Sequence, residues 1–586
     1  MGITSPDLPT LDYEQWRAGD LMSRLKPIVR HWVVAGLGTP DVTYLVYIAK
    51  IVGYLAGAML FASITPGVGS FGTVGSWWTE PVVYEKLVIW TALFEVVGLG
   101  CGFGPLAGRF VPPFGSLLYW LRPGTIRLPP WPGKVPFTRG TRRTVGDALL
   151  YLGVLAAAVF ALLSPATRHD AGLVTRAGLL EPERILPLLI VLPLIGLRDK
   201  TIFLAARSEV YLPLLVAFLL PGADLVVTAK LAILMIWWGA ATSKLNRHFP
   251  HVVAVMESNS PALRGRWLKS RFYRHYPDDV RPSRLAEFLA YAGTGVEYLA
   301  PLALFVSRGG TVTVVAAVVM LLFHLHILAS IPSGVPLEWN VFMMFSIAFL
   351  FVHNARYGPG DLTHPLPVVL LTGLLVGAIV LGNLCPNKVS FLVGMRYYAG
   401  NWDTSMWCLT PGAIAKIERH VIKAGPLPGM QLVTMYGERV AELFAHKVYA
   451  FRAMHLHGRA LLGLIPRACG SRHETDYVPT DGEVIVGPIV GWNFGDGHMH
   501  NEQLIQALHE RCRFDEGEVR VIVLDAQPIQ RQRQEYRLVD AATGEFERGY
   551  VRVRDMLDRQ PWDGDIPVTV LATQRRTGQG ADVEAV

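Results

Sequence analysis

The chain has 586 residues, of which 51% are hydrophobic and only 17% charged, and its mean hydropathy is positive. A soluble chain carries about 25% charged residues, so the deficit excludes an ordinary soluble protein and points to one whose long apolar runs cross a bilayer. The net charge of +7 is what Lys- and Arg-rich cytoplasmic loops give a membrane protein, and no basic stretch is interleaved with aromatics as a nucleic-acid platform requires.

Residues 1–42 contain acids and no apolar core, which reads as a cytoplasmic segment with an amphipathic helix and not as a cleaved signal. Apolar runs follow near 43–62, 87–107, 146–164, 185–197, 208–220, 225–242, 285–307, 311–330, 338–353 and 366–385. The runs "ILPLLIVLPLIG" and "EVYLPLLVAFLLP" are short for a span, which needs about 20 residues. The expected fold is therefore an α-helical polytopic membrane bundle of about nine or ten spans over 43–385, placed in the cell membrane as a multi-pass protein. Arg- and Lys-rich loops at 108–145, 198–207 and 243–284 are assigned to the cytoplasm. The five cysteines are scattered and form no C-x-x-C pair, so a zinc ribbon or disulfide framework has no support.

After Cys385 the pattern changes. Residues 386–470, with "ERVAELFAHKVYAFRAMHLHGRALLGLI", predict amphipathic helices on the bilayer surface or against the spans. Residues 471–571 predict a small C-terminal α+β soluble domain, followed by a disordered tail at 572–586. In that domain "EVIVGPIVGW" and "EVRVIVLDAQ" read as strands and "NEQLIQALHERC" as a helix. "YRLVDAATGEFERGYVRV" reads as a hairpin turning at Thr543-Gly544.

Ionisable residues inside apolar runs are the first candidates for chemistry, because they are expensive at membrane depth. Lys244 ends the run "IWWGAATSKL" after Trp237, Trp238 and a set of small residues that lets helices pack closely. At a helix end a lysine can snorkel to the headgroups. Packed among helices, it would instead be desolvated and could serve as a base. Glu297 in "GVEYLAPLALF" is its expected partner, and Glu95 is a second isolated acid. His324 and His326 in "FHLHILAS" point about 200° apart on a helix, so one of them is expected at the site, near Glu338, Trp339 and Asn340 of the next helix. In the tail, "GWNFGDGHMHNEQ" offers His498 and His500. On an extended strand they would share a face and could supply two metal ligands. A turn with Asp496 or Asn501 capping the next helix is the competing reading, and no metal site is assigned.

The order "SKL", then "GVEYLAPLALF", then "FHLHILASIPSGVPLEWNVFMMF" resembles the membrane core of the vitamin K-dependent gamma-carboxylase superfamily, the horizontally transferred transmembrane domain. The resemblance covers about 110 residues and implies a base role towards a reduced quinone for Lys244, with His324 and Glu297 tuning it. There the large C-terminal domain faces the lumen, whereas charge places this tail in the cytoplasm. The whole chain is also similar to a bacterial family of transmembrane proteins of unknown function, which implies the architecture and no activity.

Three functions fit these residues. The first is a lipid- or partner-binding membrane scaffold or accessory factor, with the tail docking a protein partner. The second is a carboxylase-like membrane enzyme acting on a quinone or isoprenoid lipid, with Trp237, Trp238, Glu338, Trp339 and Asn340 around the ligand. The third is a secondary transporter, which predicts paired repeats with broken helices. The sequence does not decide whether the chain is an enzyme. It does state a discriminator: catalysis requires Lys244 to face a cavity together with His324 or Glu297.

Overall fold

The computed structural model describes residues 3–100, 115–170, 172–263, 265–330 and 337–573. Six helices among them are long and apolar enough to cross a membrane: Asp41–Ser63, Val145–Leu163, Gly222–Ser243, Arg284–Val306, Gly310–Ser330 and Pro365–Leu384. The other four predicted runs form shorter helices, Pro81–Val96, Pro182–Arg198, Ser208–Ala217 and Leu337–Ser346. Of the nine or ten expected spans, six are thus full-length apolar helices among the described residues. Pro187 and Pro193 lie inside one of the shorter helices, which runs through both, Pro213 lies inside another, and Leu337–Ser346 continues into a π-helical turn at Ile347–His353. The remainder of the run at 87–107, with Cys101, lies outside the described residues beyond Gly100.

Helix ends follow sequence signals. Thr144 and Asp147 form a reciprocal capping box at the start of Val145–Leu163, and the Ser283 hydroxyl accepts from the Ala286 N–H at the start of Arg284–Val306. Gly222–Ser243 is the central helix, enclosed along most of its length, whereas the other five spans leave most of their surface open. The exposed side chains there are apolar, Leu45, Ile48 and Val52 on the first span for example, as a lipid-facing wall requires. Charges within the bundle find carbonyls. Lys86 donates to the carbonyls of Leu162 (2.7 Å) and Ser164 (3.0 Å), at the C-terminal end of a helix where a cation is favoured. Lys230 does the same for Asn354 (2.9 Å) and Tyr357 (2.7 Å).

Outside the bundle, β1 (Tyr273–His275) and β2 (Asp279–Pro282) form a small antiparallel pair. The main sheet contains β3 (Thr404–Leu409), β4 (Val478–Asp481), β5 (Val519–Leu524), β6 (Arg533–Asp540), β7 (Gly544–Arg552) and β8 (Val568–Thr573). Its strand order is β4-β3-β5-β6-β7-β8, and every neighbouring pair is antiparallel. The row Met406, Ile522 and Leu538 packs under Leu456 and Leu461. On the opposite face, Trp407, Val521 and Val539 pack with Leu504 and Leu508. With both faces covered, β5 reads "VRVIVL", an unbroken buried run.

The predicted hairpin, the strand at 519–524 and the helix Glu502–Cys512 are all present. "EVIVGPIVGW" is not a strand but the helix Gly482–Val490, started by the Asp481 carboxylate accepting from the Glu483 N–H. A fully buried β-branched run carries no period to separate helix from strand. A division at 470 does not follow the sheet either, since β3 comes from the 386–470 stretch. The helix Glu438–Met454 lies against protein: its Phe451 ring meets Trp32 of the Leu21–Ala35 helix at 5.7 Å, and Lys447 donates to the Gly36 carbonyl at 2.9 Å. Residues 572 and 573 belong to β8, and the rest of the expected disordered tail lies outside the described residues.

Candidate functional site

The Arg284–Val306 helix buries one stripe, Ala290, Thr294, Glu297, Pro301 and Leu304, at the three- and four-residue spacing of a helix face. Gly310–Ser330 buries Thr313, Ala317, Met320 and His324. Both stripes turn towards the C-terminal end of the central helix. There the small-residue run works as the sequence predicts: a Cβ on Gly239 would lie 2.5 Å from the Cβ of Met395, so only glycine allows that approach. Lys244 is the residue after the last turn of this helix.

These elements surround a cavity of about 560 Å³ whose lining includes Trp237, Lys244, Glu297, His324, Trp339 and Asn340. Its walls are mostly apolar, with Ile236, Ala240, Val253, Val296 and Met343 among them. Such a size and lining suit a small organic ligand. The Lys244 ammonium stands 2.5 Å from both Glu297 carboxylate oxygens, with 9% and 4% of the two side chains exposed. The ring of Phe249 is centred 5.3 Å from the same nitrogen. Lys244 therefore does not reach for headgroups; it faces the cavity in a buried, charge-assisted pair.

His324 is held at both nitrogens. The Trp237 indole N–H donates to Nε2 (3.0 Å), so Nε2 is the acceptor and Nδ1 carries the proton that it shares with Asn340 Oδ1 (2.9 Å). A neutral ring committed in this way positions Trp237 and Asn340, and it has no nitrogen left for a ligand. His326, which the helical geometry sent to the opposite face, also lines the cavity. It sits half-exposed at the rim, 3.0 Å from the Glu257 carboxylate.

Three other candidates fall elsewhere. Trp238 points away and donates to the Tyr298 carbonyl at 3.2 Å. Glu338 pairs with Lys50 at 2.9 Å and does not line the cavity. Glu95 lies 3.8 Å from Arg207. Arg207 itself is a cavity residue that sequence reasoning missed, its guanidinium stacked over Phe494 (4.6 Å) and Trp339 (5.3 Å). It sits in a loop read as an ordinary positive cytoplasmic connection. Lys50 could have been found, because it interrupts the first span.

In the tail, Asn501 caps Glu502–Cys512 and Asp496 caps a short 3-10 turn at Gly497–Met499. That turn separates the two histidines, which do not share a face. His500 goes into the core, its Nδ1 2.6 Å from the Ser405 hydroxyl, and burial takes its pKa down to about 4. His498 turns to Asp403 and Asp496; burial opposes its charged form, yet the two carboxylates hold its pKa up to about 9.

Residues 1–571 match the family described as transmembrane protein of unknown function (DUF3556). The chain belongs to this family. No curated protein and no solved structure matches it, and the comparisons add nothing for a link to the gamma-carboxylases. Membership agrees with the helical bundle and its six spans and carries no activity with it.

Proposed function

We propose that this membrane protein takes an amphiphilic molecule of the quinone or isoprenoid-lipid class from the bilayer and holds its polar end against Lys244 and Glu297. The observation that carries the reading is the buried Lys244–Glu297 pair facing an apolar cavity. An apolar wall alone would accept any acyl chain, but a charged pair at its end selects a ligand with an oxygen to offer. In an ion pair the amine holds the proton and the carboxylate is the base. Glu297 would thus receive a proton from a ligand hydroxyl while Lys244 steadies the resulting oxyanion. His324 positions Trp237 and Asn340 around the ligand. The discriminator set by the sequence, Lys244 in a cavity with Glu297 and His324, favours proton-transfer chemistry over a passive scaffold.

Lipid mass spectrometry of the detergent-purified protein tests this. Wild type would carry a non-phospholipid amphiphile enriched over the bulk membrane. Ala240→Phe, which fills the cavity, and Lys244→Ala, which removes the polar contact, would both lose it. Bulk phospholipid alone from all three proteins would sink the proposal.

A further inference from the structure

Where β3 begins, Asp403 meets the turn that carries Asp496 and His498, and the three side chains converge. Their ligand atoms all lie within 4.8 Å of one another. His498 Nδ1 is 2.9 Å from Asp496 Oδ1 and 3.1 Å from Asp403 Oδ2. Two ligands of one cation with bonds near 2.1 Å stand about 3.0 Å apart across a right angle, so these separations are those of adjacent ligands in an octahedral shell. We propose that Asp403, Asp496 and His498 bind a divalent first-row cation of the manganese or zinc type, with water completing the shell.

Four observations outside the triad's own contacts support the site. Asp403 Oδ1 is buried and has no hydrogen-bond partner, on a side chain 9% exposed; an orphaned carboxylate oxygen of this kind is costly unless something binds it. His498 Nε2 lies 3.1 Å from the Asn387 carbonyl. That contact requires a proton on Nε2 and orients Nδ1 towards the carboxylates, as the supporting shell of a metal-bound histidine does. The Ser390 hydroxyl donates to Asp496 Oδ2 and fixes the second carboxylate in the same way. Finally, a cavity of about 220 Å³ opens on Asp403 and His498 and is lined by Asn387, Asn501, Asp525 and Arg537, which leaves room for water ligands and a way in.

The backbone is built for this convergence. A Cβ on Gly497 would lie 2.6 Å from the Asp403 carbonyl carbon and 2.7 Å from its Cγ, so only glycine lets the turn close on Asp403. Two carboxylates and one imidazole form a mixed oxygen and nitrogen set, which suits manganese or zinc better than an all-oxygen cation such as calcium. Without a cation, a proton on Nδ1 holds the same three groups together. Metal and proton are competitors for one position.

The test uses the full chain in mild detergent, stripped with chelator and desalted, and titrated calorimetrically with Mn2+ and with Zn2+. One saturable equivalent is expected for at least one of the two, with His498→Gln and the near-isosteric Asp403→Asn each weakening it at least tenfold. Ser390→Ala, which touches only the supporting shell, would weaken it by a smaller factor. In the Mn2+ sample, pulsed electron paramagnetic resonance would detect one imidazole nitrogen, lost in His498→Gln. Binding that survives both His498→Gln and Asp403→Asn, or no saturable binding by wild type, overturns the site. If His498→Gln does not fold, Asp403→Asn and the nitrogen signal decide the matter.

Discussion

Removing one partner of the Lys244–Glu297 pair should do far more damage than removing both. Both side chains are more than nine-tenths buried, and the surroundings are apolar, with Phe249 and Phe323 at 5.3 and 6.0 Å from the ammonium. Lys244→Met leaves a carboxylate with no counter-charge, and Glu297→Leu leaves an ammonium in the same state. Breaking a buried pair on one side costs about 3–5 kcal/mol, or about two to four orders of magnitude in the folding equilibrium. The double variant Lys244→Met/Glu297→Leu replaces the pair with apolar groups of similar volume. It should fall within about 1 kcal/mol of wild type, because desolvation and attraction nearly cancel in the intact pair. The assay is unfolding in mixed micelles of mild detergent and sodium dodecyl sulfate, followed by tryptophan fluorescence for all four proteins, which closes a double-mutant cycle. Additive losses, with the double variant as unstable as the sum of the singles, would refute a coupled pair. A Lys244→Met protein as stable as wild type would mean that the lysine is a headgroup anchor after all.

Acid should loosen the region outside the bundle. His248, His446 and His455 are buried, and burial takes their pKa values down to about 4, 4 and 3, against about 6.5 when unfolded. The unfolded state then binds protons that the folded state refuses, so stability present above pH 6.5 is lost as the pH falls towards 4. The loss is about 2 kcal/mol per histidine at pH 5. A urea midpoint that does not move between pH 7.5 and pH 5 would contradict this, and His455→Gln should flatten the dependence. Leu538→Ala, in the covered centre of the sheet with no exposed surface, should cost about 2–5 kcal/mol. Denaturant melts of the tail's tryptophan signal would measure it, and a cost below 1 kcal/mol would mean that the sheet face is not packed as described.

The membrane class was legible from composition, and the six long spans were legible from run length, since a lipid-facing helix has no other way to satisfy its backbone than to stay helical and apolar. The short runs at 185–220 resisted for a physical reason. Their helices, Pro182–Arg198 and Ser208–Ala217, fall short of the length of the six long spans, and Arg207 and Glu209 are buried where the second begins, a feature that apolar content alone does not reveal. The tail hid β3 because "TSMWCL" is buried on both faces and shows no alternation. The helix Gly482–Val490 hid for the same reason, as an apolar β-branched run without a period.

At the site, Lys244 and Glu297 could be paired from sequence because each stands inside or at the end of an apolar run, and a charge at that depth needs a partner. The same rule would have joined Lys50 to Glu338, which the structure puts 2.9 Å apart, had the lysine in the first span been weighed as an interior charge. Arg207 escapes any such rule. It lies in a connection between helices, and only the fold brings Phe494 from the tail over its guanidinium. The triad of Asp403, Asp496 and His498 escapes for a related reason: the spacing His498 to His500 suggested two ligands on one strand, but the 3-10 turn at Gly497–Met499 sends His500 inward and leaves His498 to meet the Asp403 carboxylate just before β3. Local spacing tells which residues share a face only when the local conformation is known. Where that conformation is a long helix the pairing can be read, and where it is a loop, as at Arg207 and His498, only the fold supplies it.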